Sequence, residues 1–333
     1  MYGRSIWVHS VICSMGWLGT AAALDAQVVE HSGYPDCIEL RNEHTRVIVC
    51  PACGGRVLEY SLDGKNALYL DPRQNGWIWE PGQAPTNPYG GRLDIGPEKI
   101  VPKHPALWLG RWQSEIIGSR SVRLTSQEDE ATGVQLVREF RLDEDSSKLT
   151  CTQIIRNVSD ETKHWCHWSR TLARGGGIAL VPLEGFSRFP NKYIMYEPKS
   201  LIDYAPRDPN IRLRDGFLQI LGTPRQPKLG MDSYAGWLCY LTTNDLMFVK
   251  RFPTYPNRVY NEVAAITISI WYFKDIMCEL EPIGPMETIA PGQSASFTET
   301  WWLLPHEFPR DRTQVNTGQI ADMVRRHTDG SPN

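Results

Sequence analysis

Apolar residues recur at every second position through most of the chain. In "VQLVREFRL" (134–142), Val134, Leu136, Phe140 and Leu142 fall on one face and polar residues dominate the other. The same alternation runs through "SVRLTSQ", "KLTCTQIIRNV" and "AAITISIWYF". A period of two is the signature of antiparallel strands with one buried face. "CIEL", "RVIVC" and "RVLEYSL" supply earlier strands, and the last closes on "DGKN" (63–66) into "ALYL", which reads as a hairpin with an Asp-Gly turn. "IALVPL", "WLCYLTT", "LMFVKRF", "IMCELEP" and "SASFTETWWLL" continue the series. Only "TGQIADMVRRHT" (317–328) has a helical period, and it is expected to lie outside the body of the fold.

Two stretches break the rhythm. Residues 74–106, rich in Gly, Pro, Asn and Trp, and residues 184–215 read as long loops, which in a compact domain are usually functional or disordered. The density of Trp, Arg, Glu and His in the first favours function. No linker, repeat or charge run divides the chain, so residues 27–333 are expected to form one large all-β sandwich.

The first residues change the picture of where the protein works. Arg4, a mostly apolar run from Ile6 to Leu24 and small residues before Ala23 or Ala26 match a secretory leader spanning 1–26; a retained membrane anchor is the rival reading. A periplasmic or extracellular protein with no stable membrane insertion after cleavage is expected. Removal of the leader takes Cys13 and leaves seven scattered cysteines, too irregular for a disulfide framework, with one or two bridges left open. "CPAC" (50–53) lacks a second ligand pair other than the distant "HWCH" (164–167), so no metal site is expected, nor an organic cofactor. A net charge of −3, with no basic run, argues against nucleic acid as a partner. The 12 Trp and 13 Tyr, many in polar segments such as "HPALWLGRWQ", suit either a β core or a groove in which sugar rings stack.

Three constellations could carry chemistry. In "CELEPIGP" (278–285), Glu279 and Glu281 share a strand face opposite Cys278, Leu280 and Pro282. Glu279 is expected in solvent; Glu281, at the strand's end, is where a rigid element would hold a catalytic group. In "HWCHWSRT" (164–171), Trp165, His167 and Ser169 face one way, and His164, Cys166, Trp168 and Arg170 the other. His167 is either a general acid or a histidine merely hydrogen-bonded in place. The first long loop gathers Arg92, Asp94, Glu98, Lys99, Lys103 and His104 ahead of Trp108 and Trp112, as a sugar site requires and as a solvated loop also allows.

The order of these features resembles the galactose mutarotase-like (aldose 1-epimerase-like) superfamily. "CIELRNEHTRVIVCPACGGRVLEYSLDGKNALY" is similar to the family's opening, "IIRNVSDETKHWCHWSRT" to its acid-bearing segment, and "CELEPIGPMETIAPGQSASFTETWW" to its close. "GGRLDIGPE" and "FVKRF" point to a bacterial branch of unknown function, and the likeness spans residues 36–305. It implies a β-supersandwich of two large antiparallel sheets with a short C-terminal helix and a site on a concave sheet face. Glu281 would be the catalytic base and His167 the acid, with Arg92, Glu98, His104, Trp108 and Asn261 around a mono- or oligosaccharide. The sequence departs from the family in "NPYGGR" (87–92), where Tyr89 replaces a histidine that His104 would have to supply. Three functions stay open: epimerisation of a sugar by the exported protein, elimination from a uronate polysaccharide with Arg92, Asn261 or protonated Glu281 neutralising the carboxylate, or binding without chemistry.

Overall fold

The alternating segments pair as their periodicity predicts. Val134–Leu142 runs antiparallel to Leu149–Asn157, in register from Leu142↔Leu149 to Val134↔Asn157. The computed structural model describes residues 26–328, so the expected leader, apart from Ala26, lies outside the described residues. The strands form a 12-stranded and a 10-stranded sheet, and every pairing is antiparallel. The middle of the first sheet runs Arg56–Leu62, Gly91–Gly96, Cys166–Arg174, Met277–Pro282, Ile268–Phe273, Lys228–Met231 and Ile194–Glu197. The second centres on Leu246–Arg251, Ser294–Pro305, Leu149–Asn157 and Val134–Leu142.

Between the sheets, Leu93, Ile95, Ile268, Ile270, Cys278 and Leu280 of the first pack against Phe140, Phe248, Phe297 and Trp301 of the second. The Cys278/Leu280 face is thus core, which turns Glu279 and Glu281 to the outer face of the first sheet. One ion pair is sealed inside this core. Lys250 Nζ lies 3.0 Å from Glu299 Oε2 and donates to Ser169 Oγ (2.7 Å), Thr171 Oγ1 (3.0 Å) and the Leu280 carbonyl (3.1 Å).

The hairpin at 63–66 forms as expected: Ser61 pairs with Asn66 and Leu62 with Lys65, and Asp63 and Gly64 both take positive φ (48° and 76°), as a type I′ turn demands. "CPAC" is a turn too. Gly54 has φ +66°, and a Cβ there would lie 2.1 Å from the Trp108 carbonyl oxygen, so only glycine fits where the turn meets the 108–112 segment. All seven described cysteines are free and buried.

Four expectations need correction. The supposed loop 74–106 contains the strand Gly91–Gly96, buried throughout in the middle of the first sheet. Its Arg and Asp give it a loop's composition because its outer face holds charges. Residues 184–215 likewise contain three short strands, Ile194–Glu197, Leu201–Asp203 and Ile211–Arg214. "ALYL" forms no strand; Leu68 makes an isolated bridge to Ala173. The helix Thr317–Thr328 has the expected bounds but belongs to the body: Ile320 and Val324 pack with Phe217, Trp302 and Leu304 on the outer face of the second sheet.

Candidate functional site

Alternation along the first sheet brings polar side chains from four neighbouring strands to its outer face. Arg92 and Asp94 come from Gly91–Gly96, Trp168 and Arg170 from Cys166–Arg174, Glu279 and Glu281 from Met277–Pro282, and Ser269 and Trp271 from Ile268–Phe273. Lys228 and Tyr196 follow from the next two strands, Lys228–Met231 and Ile194–Glu197. Glu98 and His104 enter from the segment after Gly96.

Glu281 is wholly buried at the centre. Its Oε2 accepts a hydrogen bond from Trp168 Nε1 (2.6 Å) and its Oε1 one from Ser269 Oγ (3.2 Å). Burial, and then the neighbouring Glu279 carboxylate, push its carboxyl up to about 7, with Lys228 and Arg170 pulling the other way. Glu279 is the correction to the solvated residue expected there: it is 2% exposed. A neighbouring strand covers what sequence spacing leaves open, since Arg170 Nε donates to Glu279 Oε1 (2.9 Å) and Arg92 Nη2 lies 3.8 Å from the same oxygen.

Lys228 is the cation over this centre. Its Nζ donates to Glu98 Oε2 (2.6 Å) and lies 5.3 Å from the Trp168 ring centroid and 5.2 Å from that of Tyr196. Burial alone would lower its pKa, but Glu281 and Glu98 raise it above the ordinary value. The Tyr196 hydroxyl is buried without a hydrogen-bond partner among the described residues, and desolvation drives its pKa well up, so the phenol keeps its proton.

His104 does not reach this centre. Its Nε2 faces Asp94 Oδ1 (2.8 Å) and its Nδ1 the Pro102 carbonyl (2.6 Å). Both partners are acceptors at neutral pH, so both nitrogens carry hydrogen and the ring is an imidazolium. Burial would lower its pKa, but the Asp94 carboxylate outweighs that and raises it to about 9; burial would raise Asp94, but His104 holds it at about 2. These are two views of one contact. On the basic side its stabilisation is complete below the free imidazole value of 6.5 and is lost as pH rises through about 9. On the acid side it is present above the free carboxyl value of 3.8 and is lost as pH falls through about 2. Thermal midpoints of the wild type and Asp94→Asn should therefore differ more at pH 6 than at pH 10; an equal gap at both would show that the pair is not ionised as described.

His167 lies on the other side of the sheet. With Ser169 and Thr171 it points between the sheets, where its ring stacks on Phe297 at 5.6 Å. It is 1% exposed, and neither ring nitrogen has an aligned hydrogen-bond partner among the described residues. Burial drives its pKa down to about 3, with the Gln153 and Ala295 backbone offsetting only part, so it is a neutral imidazole. The geometry therefore does not bring together the expected acid–base couple of Glu281 and His167, because adjacent positions on a strand face opposite ways and Trp168, not His167, turns toward Glu281.

A cavity of about 220 Å³ opens beside the cluster, lined in part by Tyr89, Arg92, Arg170, Trp271 and Glu279. A roomier hollow of about 780 Å³ lies along an edge of the second sheet. It gathers surface pairs such as Arg120–Glu144 (3.1 Å) and no buried titratable side chain, so convergent chemistry favours the smaller one. Among the described residues, no group of three or more His, Cys, Asp or Glu is placed to hold a metal ion.

No protein-family model matches the chain, and no curated protein matches it. Solved structures do. The Slr1438 protein of Synechocystis superposes with a TM-score of 0.56 at 14% identity, over 89% of this chain and 100% of that one. A galactose mutarotase related enzyme from Lactobacillus acidophilus gives 0.56 at 10% identity, over 81% and 98%. A galactose mutarotase-like protein from Lactobacillus casei gives 0.55 at 10%, over 80% and 100%. The chain has the galactose mutarotase-like fold.

On this mutarotase-like scaffold the expected site residues divide. Arg92, Glu98 and Glu281 meet on the outer face. Trp108 ends the short helix Pro105–Trp108 and stacks over Arg92, 5.3 Å from its ring centroid, walling the guanidinium. Asn261 donates from Nδ2 to the His164 carbonyl (3.4 Å), next to Glu262, whose Oε2 accepts from the Glu98 backbone amide (2.7 Å). Lys228, Tyr196 and Ser269 went unread in the sequence. In "PKLGM" (227–231), however, Leu229 and Met231 take the core positions, so Lys228 must face outward among the other strands' charges.

Proposed function

We propose that the protein binds a sugar on the outer face of the first sheet and that Glu281 moves a proton at its anomeric oxygen. The observation carrying this reading is the state of Glu281. It is a fully buried carboxyl with a donor on each oxygen, balanced near neutrality, beside the mostly buried Lys228 and Arg170 on a mutarotase-like sheet. A base balanced near the working pH combines availability with driving force.

The chemistry follows from the neighbours. The Glu281 carboxylate takes the proton of the anomeric hydroxyl; the bond between the anomeric carbon and ring oxygen breaks, and its electron pair goes to the ring oxygen, which is protonated. Rotation and reclosure then give the other anomer. The donor to the ring oxygen on this face is the Tyr196 phenol, with Lys228 supporting the developing negative charge and Trp271, on the cavity wall, offering flat apolar surface. This assignment replaces His167. Residues 1–26 add export to the proposal.

The test is anomer exchange, followed by NMR across a panel of aldoses. Accelerated α/β interconversion is expected, with a rate rising as pH increases through about 7, where Glu281 becomes a carboxylate. Binding with no acceleration would leave carbohydrate binding alone, and unsaturated ultraviolet-absorbing products would replace epimerisation by elimination.

A further inference from the structure

We infer that the ligand of this site is an acidic sugar, its carboxylate or phosphate seated in the 220 Å³ cavity against Arg92. The inference rests on the sugar-site reading above and names its substrate class. Arg92 is 3% exposed, yet its Nε and Nη1 have no hydrogen-bond acceptor among the described residues. Buried donors are rarely left so, and a guanidinium is the side chain whose parallel N–H groups match a carboxylate or phosphate edge.

The charge around it points the same way. Arg92 and Arg170 share one carboxylate in contact, Glu279, and the closer bond of 2.9 Å belongs to Arg170, against 3.8 Å for Arg92. Asp94, on the same strand face as Arg92, is taken up by the His104 imidazolium. The charges that act most on Arg92 are thus two further cations, Arg170 and Arg56, and two carboxylates, Glu279 and Asp94, each already bonded to another cation. Burial and the nearby Arg170 together lower the Arg92 pKa to about 10, the direction expected of a cation short of negative partners, though it stays charged at neutral pH. The Trp108 ring lies over the guanidinium, its centroid 5.3 Å from the Arg92 Cζ. The cavity is smaller than the roughly 300–1,000 Å³ of typical ligand pockets, which suits one functionalised end of a sugar.

The experiment pairs each acid with its neutral parent in calorimetric titrations: glucuronate with glucose, galacturonate with galactose, and glucose 6-phosphate with glucose. At least one acidic member should bind about tenfold or more tightly than its parent, as expected for charge-assisted hydrogen bonds. The uronate and phosphate arms separate the two anions. Arg92→Gln should remove the preference for the acid over its neutral parent, and Arg92→Lys should restore part of it, since lysine keeps the charge and loses the fork. Equal binding of acid and parent by the wild type overturns this inference and leaves the sugar site standing, whatever the variants' folding. Binding of neither overturns both.

Discussion

Lys250→Met is expected to lower the stability of the protein by about 3–5 kcal/mol, the range for removing one partner of a buried ion pair. The size follows from what is left behind. Glu299 is 1% exposed, and its Oε2 accepts from Trp301 Nε1 (2.9 Å) as well as from Lys250. Methionine fills the volume of the lysine stem, so the loss comes from an unpaired carboxylate in the inter-sheet core rather than from a cavity. Four oxygens lie within 3.1 Å of Lys250 Nζ, more than its three hydrogens, so the ammonium is fully hydrogen-bonded where it sits. Burial lowers its pKa and Glu299 offsets this in part. The double variant Lys250→Met/Glu299→Met should regain most of the loss, because replacing the whole pair with apolar side chains removes the stranded charge. Urea unfolding decides it: a single-variant loss below about 1 kcal/mol, within the range of an ordinary surface pair, would refute the sealed-pair description.

The second large effect concerns Glu281. Glu281→Gln should slow anomer interconversion roughly a hundredfold to ten-thousandfold, the contribution of a positioned general base. The same substitution should leave the protein at least as stable at pH 8. The sign runs through linkage: a carboxyl raised to about 7 in the folded state, against 4.5 when free, stabilises through its proton. That contribution is complete below about 4.5 and is lost as pH rises through about 7, so above neutrality the wild type bears a buried charge that glutamine lacks. Glutamine still offers a carbonyl oxygen to Trp168 Nε1. An active Glu281→Gln protein would remove Glu281 from the chemistry, and an inactive one that is markedly less stable at pH 8 would make the residue structural.

The sequence made the strands legible wherever one face was apolar. Val134–Leu142 and Met277–Pro282 show the pattern, and the placement of Cys278 and Leu280 in the core follows from period two alone. What alternation could not supply was the cover on the other face and the pairing between strands. Glu279 looked solvated because nothing local announces Arg170, 109 positions earlier in the chain, as its partner. Glu281 and His167 looked like a couple because the family resemblance made one the base and the other the acid. Whether their faces coincide depends on which residues pair, and the register Thr171↔Leu280 and Leu172↔Glu279 sends His167 inward. Gly91–Gly96 was hidden by its own charges, since a central strand whose outer face holds Arg92 and Asp94 has the composition of a loop.

Trp168 combines two contacts that were met separately. Its indole N–H ends on a carboxyl balanced near neutrality, while Arg170 and Lys228 stand 4.4 and 5.3 Å from its ring centroid. An aromatic chromophore in that position registers both the proton on Glu281 and any displacement of the two cations by a ligand. In a background where the other tryptophans are replaced, Trp168 therefore serves as an optical gauge at the centre of the site.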